Sequence, residues 1–217
     1  MRYKIELKIN GIEGPIILFG VYIFIFIISL INSSVNRYLI IMYLEIIVPM
    51  LTAILCTFII YKNNEIDLVL AYSRSVFKTI LYKYVCIVVT TIFICIIELL
   101  LFQCYFKSIS VIILLYALAS PTLILSSLAV LITIIARNTS IGSSFTGVLA
   151  ALQIGIGVRL SETPSHPWYE IFGFYNTFYK FKSNLWIINR WFLILLSIFI
   201  WAVILTYVNK RSRLLSD

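Results

Sequence analysis

Two carboxylates, Glu45 and Glu98, stand inside long apolar runs of this 217-residue chain, and they are the residues best placed to do chemistry. An ionised carboxylate in hydrocarbon is costly, so such a group pairs, takes up a proton or reaches water. Glu45 lies seven residues into an apolar run at 38–61, and Glu98 lies eight residues before the end of another at 83–106. If the two runs are antiparallel spans, both carboxylates sit at similar depth below the same face of the membrane. Pro49 has no N–H to offer the carbonyl of Glu45, so that turn carries an orphan acceptor beside its acid. Pro121 likewise frees the carbonyl of Ala117 and predicts a kink. No Lys or Arg lies in the interior of either run. Glu45 and Glu98 are therefore expected to line one polar patch, serving either structural hydrogen bonding or contact with a substrate or proton.

Other reactive groups are sparse. Cys56, Cys86, Cys95 and Cys104 all lie in apolar runs with no Cys-x-x-Cys pair, and read as small buried hydrophobes. One histidine, His166, with scattered cysteines makes no metal site. No Gly-x-x-x-x-Gly-Lys-Ser/Thr occurs, so the backbone cradle for nucleotide phosphates is missing.

The elements that position these residues follow from composition. Residues are 62% hydrophobic and 12% charged, whereas a soluble domain carries roughly 25% charged residues. A water-facing surface cannot be built from so few charges; lipid accepts apolar side chains on the outside. The reading is an all-α integral membrane protein, a six-span helical bundle forming one transmembrane domain over 1–217, with spans near 15–33, 38–61, 83–106, 110–136, 139–158 and 189–208. No cleavable signal peptide is evident, because the first apolar run lacks a small-residue cleavage site and more spans follow. The net charge of +8 resides mostly beside apolar runs, which points to membrane orientation rather than nucleic acid. With both termini in the cytoplasm, eleven Lys and Arg fall inside and six outside, the six being Arg37, Lys107, Arg159, Lys180, Lys182 and Arg190. The segment 2–10 alternates polar and apolar residues, and is favoured as an interfacial helix over a lone strand with nothing to pair with.

The cytoplasmic connection 62–83 is too polar to span. Ile66, Val69, Leu70, Phe77, Ile80 and Leu81 recur at helical spacing, and Ser75 can cap the helix that becomes the third span. Glu65 and Asp67 lie in the first turn of the first piece, where a carboxylate suits the helix dipole. The segment is either an interfacial connector or a docking helix for a cytoplasmic partner. In the fifth span Ser143, Gly147, Ala151 and Gly155 recur every four residues and let another backbone approach closely, within one bundle or across a subunit seam. The outer connection 159–188 holds Trp168, Tyr169, Phe172 and further aromatics, which read as short interfacial helices or as an outer gate for an amphipathic substrate.

A second span followed by Glu65, an amphipathic Leu-rich piece, a small-residue turn and Lys83 opening the third span resembles the permeases of ABC-2-type exporters. Six spans, a cytoplasmic N-terminal segment and a long outer connection before the last span extend the resemblance over the whole chain. Tyr72-Ser73 departs from it, since the family often has Pro after a small residue there. The resemblance implies that 62–83 is a coupling helix touching a cytoplasmic ATPase subunit through Glu65, Asp67, Leu70, Arg74 and Lys83. It also implies a second permease subunit, identical or paralogous, with the Ser143–Gly155 helix close to the seam. ATP and Mg would then bind in the partner ATPase and no cofactor in this chain, which would sit in a bacterial cytoplasmic membrane. Apolar and aromatic lumen candidates suit a hydrophobic or amphipathic cargo, such as an antimicrobial peptide, lipid or drug. Two other classes stay open. One is an intramembrane enzyme such as a small peptide-processing protease. The other is an energy-independent channel or scaffold, which would not require the polar docking helix.

Overall fold

A computed structural model of the chain describes residues 16–17, 19–28, 30, 36–61, 76–106, 111–162, 171, 173–174 and 184–214. Among the described residues every regular element is helical. Among the described residues four helices are long and apolar enough to cross a membrane: Leu39–Phe58, Phe77–Cys104, Val111–Ala136 and Asn184–Asn209. The chain is thus an all-helical, membrane-embedded protein. In order, the elements are α1 (Phe19–Ile28), α2 (Asn36–Met42), a π-helical turn (Tyr43–Ile47), α3 (Val48–Tyr61), α4 (Val76–Phe106), α5 (Val111–Ala136), α6 (Thr139–Glu162) and α7 (Asn184–Leu214).

Against the six expected spans, four stand as full-length candidates. The described part of the first is the ten-residue apolar helix α1. The fifth coincides with α6, a 24-residue helix that is not one of the four. Boundaries move outward: α4 begins at Val76 rather than 83, α6 runs to Glu162 rather than 158, and α7 covers Asn184–Leu214 rather than 189–208. In each case the helix outlasts the apolar run, because backbone hydrogen bonding need not stop where hydrocarbon does. The 2–10 segment, Glu65, Asp67, Leu70 and Arg74, and Trp168, Tyr169 and Phe172 lie outside the described residues.

Pro49 explains the π-helical turn. With no N–H at 49, the α-helical register cannot be completed across residues 44–45. The helix widens just upstream, and the Val48 N–H donates to the Tyr43 carbonyl five residues back.

Helix α5 is the hub, packed against α3, α4, α6 and α7. Two-thirds of its apolar stretch (67%) is buried, against 28% for that of α7, so α5 is enclosed by its neighbours while α7 is largely exposed. A helix buried all round must satisfy its own polar groups. Thr122 Oγ1 donates to the Leu118 carbonyl (2.7 Å), Ser127 Oγ to Ile124 (3.0 Å) and Thr133 Oγ1 to Ala129 (2.7 Å). These short side chains return to their own backbone, so small residues can face neighbours without orphaned hydroxyls.

The α5–α6 corner is compact. Arg137 takes a left-handed conformation (φ 53°) that ends α5, and the Asn138 Oδ1 accepts the Ser140 N–H (2.8 Å) to cap α6. Gly142 then passes so close to Thr133 that a Cβ there would collide with its side chain, with Thr57 also against it. Three helices, α3, α5 and α6, meet at that glycine.

Two apolar clusters stack along the bundle. One surrounds Ala53, Cys56, Tyr84, Ile124, Leu125, Leu193 and Ile204. The other lies toward the end where Phe106 closes α4 and Val111 opens α5, and contains Tyr22, Ile40, Tyr43, Leu44, Cys95, Leu99, Phe102 and Leu118. Both carboxylates sit at that second end.

Candidate functional site

Glu45 lies on the π-helical turn, nine residues from Asn36, and Glu98 lies eight residues before Phe106. At 1.5 Å per residue those depths are roughly 13 and 12 Å from their helix ends. Both side chains are buried, at 2% and 1% exposure, so neither faces open lipid.

Their surroundings differ. Arg190 of α7 forms an ion pair with Glu45. Its guanidinium also donates to the Phe174 carbonyl (3.0 Å) and the Ser120 hydroxyl (3.2 Å), and lies 5.6 Å from the centre of the Trp186 ring. A planar fork of five donors can address several acceptors at once, and a ring face tolerates its charge. The adjacent Asn189 donates to the carbonyls of Ile171 (2.6 Å) and Gly173 (2.8 Å). Gln153 of α6 accepts the Phe174 N–H (3.1 Å). Ile171, Gly173 and Phe174 are thus held by α6 on one side and α7 on the other, with the Phe174 ring in the apolar core.

Glu98 meets no cation among the described residues. The Tyr43 hydroxyl donates to its Oε2 (2.6 Å), and the Tyr22 hydroxyl of α1 donates to its backbone carbonyl (2.8 Å). Its Oε1 is buried without a hydrogen-bond partner. Tyr43 and Glu45 are two residues apart on one helix, so their side chains leave on different faces. The π-helical turn thereby presents a phenol to α4 and a carboxylate to α7.

The single shared polar patch expected from the sequence is therefore two sites. Arg190, counted in the sequence reading as an outer loop charge, is buried in α7 as the partner of Glu45. Sequence reasoning missed Arg190, Asn189, Gln153 and Tyr43. The available signal was the pair Asn189-Arg190 inside the Trp186-to-Leu196 run, a polar interruption that calls for an intramembrane acid.

The remaining expected residues fall as follows. Lys83 is half-buried on α4. Ser143 and Gly147 are half-buried on α6, and Ala151 and Gly155 are exposed. A Cβ added at Gly147 or Gly155 would meet nothing within 4 Å, so close packing inside the bundle falls to Gly142 and not to these two. Cys56 and Cys95 are buried, Cys86 is half-buried and Cys104 is exposed, all as free thiols. Among the described residues no three His, Cys, Asp or Glu side chains converge as metal ligands.

Neither known protein families, curated proteins nor solved structures give a match to this chain. The functional reading therefore rests on its own residues.

Proposed function

We propose that this chain is the membrane-spanning subunit of an ATP-driven exporter with the layout of ABC-2-type permeases, working with a separate cytoplasmic ATPase and a second permease subunit. The observation that carries the reading is the polar, amphipathic stretch 62–83, which follows one apolar helix that can cross a membrane and runs into the first turns of the next. A simple connector does not require Glu65, Asp67, Leu70, Arg74 and Lys83 around an apolar stripe; a docking surface for a soluble partner does. ATP and Mg would bind in that partner.

In this reading the bundle has six spans, with α1 and α6 completing the four. Both termini are cytoplasmic in a bacterial membrane. Removing the paired Arg190 from the loop count leaves eleven basic residues inside and 6 − 1 = 5 outside, which favours that orientation more than the raw sequence does. The open space beside Gly147 and Gly155 supports a seam with a second copy or a paralogue on this face of α6. The cargo is hydrophobic or amphipathic, an antimicrobial peptide, lipid or drug, meeting an outer gate at Trp168, Tyr169 and Phe172.

The deciding experiment is co-purification from native membranes. The full chain should bring down an ATPase subunit, and a Glu65→Ala/Leu70→Ala double variant should insert normally but lose it. Unchanged capture by the double variant would remove the coupling role. For the seam, cysteines placed by Ala151→Cys should cross-link between two subunits in native membranes, and Gly147→Leu should abolish the cross-link. Absence of any cross-link would locate the seam elsewhere.

A further inference from the structure

We propose that Glu98 is a proton-binding site inside the membrane, holding a proton on Oε1 while the Tyr43 hydroxyl donates to Oε2. The inference stands apart from the exporter reading and needs none of it.

Three observations converge on Glu98. It is 1% exposed on an apolar helix, where an isolated ionised carboxylate neutralises itself rather than remain charged. One oxygen has a single neutral donor and the other has none, whereas a buried carboxylate that stays ionised gathers donors on both oxygens. The buried cation of the bundle meets the other acid, since Arg190 pairs with Glu45. Among the described residues no cation pairs with Glu98, and Glu45, on the π-helical turn, faces Arg190. The titratable groups facing it are Tyr22 from α1, Tyr43 from the π-helical turn and Cys95 one turn earlier on α4, all neutral acids. The α5 face beside it presents Leu114 and Leu118.

A proton on Oε1 removes the uncompensated charge, and leaves a neutral hydroxyl in place of half of a buried anion. Release requires water to reach it, and the end of α4 at Phe106 lies eight residues away. The proton would pass from Oε1 to that water, leaving a carboxylate held only by the Tyr43 hydroxyl. Glu98 also fastens α1 through the Tyr22 hydroxyl, so proton loss would strike the point where α1, the π-helical turn and α4 meet.

The test is infrared spectroscopy of the full chain in phosphatidylcholine–phosphatidylglycerol vesicles at neutral pH. The wild type should carry the carbonyl stretch of a protonated carboxyl. That band should vanish in Glu98→Gln, persist in Glu45→Gln, and shift in Tyr43→Phe. A carboxylate stretch lost in Glu98→Gln, with no protonated band, would overturn the proposal. So would a sodium-dependent shift of that stretch, which would assign the site to a metal cation. A second readout needs no variant. A hydrophobic carbodiimide takes the carboxyl proton on one nitrogen and the carboxyl oxygen on its central carbon. Acyl migration to nitrogen then leaves a stable adduct heavier by one whole reagent, with nothing expelled. Peptide mapping should find this adduct at Glu98 and not at Glu45; equal labelling of both, or labelling of Glu45 alone, would refute the assignment.

Discussion

Glu45 and Glu98 are both buried on neighbouring helices, yet one meets a guanidinium and the other a phenol. The first site is a network: Arg190 ties α7 to the π-helical turn, to α5 through Ser120, and to the Phe174 carbonyl. The second is a single contact with an unpartnered oxygen beside it. The contrast shows how a bilayer protein can keep acids of one type in two states. A cation within reach holds one ionised and makes it structural. Where none is in reach, the acid is left to a proton.

The contrast can be broken most sharply at Arg190. Arg190→Met strips the counter-ion from a buried carboxylate, a loss of about 3–5 kcal/mol. Reversible unfolding in detergent micelles should register it, together with loosening of residues 171–174. If the variant is as stable as wild type, the ion pair is not what holds Glu45. Next comes Asn189→Leu, which deprives the Ile171 and Gly173 carbonyls of their donor while leaving the ion pair intact. A cost of about 1–3 kcal/mol is expected, with accelerated proteolysis near 171–174 as a second readout. A smaller effect belongs to Tyr43→Phe. Interhelical hydrogen bonds in membranes average about 0.6 kcal/mol, and the loss should be near that. Smallest of all is Glu98→Gln, which reproduces the shape of a protonated acid and should change stability by under about 0.5 kcal/mol. A large loss there would mean that Glu98 is ionised, and the comparison would fail.

What the sequence makes legible is what local rules govern. The α5–α6 corner falls where expected, because the apolar run ends at Ala136 and Asn138 can cap the next helix within two residues. Pro49 marks Glu45 as unusual, and the helix indeed changes register beside it. The pairing of Glu45 with Arg190 is a different matter. The two are 145 residues apart, and nothing between them fixes which face of α7 meets the π-helical turn. Lysine position misleads as well: Lys78 and Lys83 read as part of a connection but lie on α4, since a long flexible stem lets the ammonium leave hydrocarbon while its backbone stays helical. For α6, the periodic small residues were visible, yet only the fold separates Gly142, pressed against Thr133, from Gly147 and Gly155, which face open space.

The most direct test of the two-state account is a double-mutant cycle at the first site read against a single substitution at the second. Stability would be measured for Glu45→Gln, Arg190→Gln, the double variant and Glu98→Gln under one set of conditions. The account predicts that each single change at the ion pair costs several times more than Glu98→Gln. It also predicts that the double variant is more stable than either single one, because no buried charge is left alone. Additive losses at Glu45 and Arg190, with an equal loss at Glu98, would contradict it.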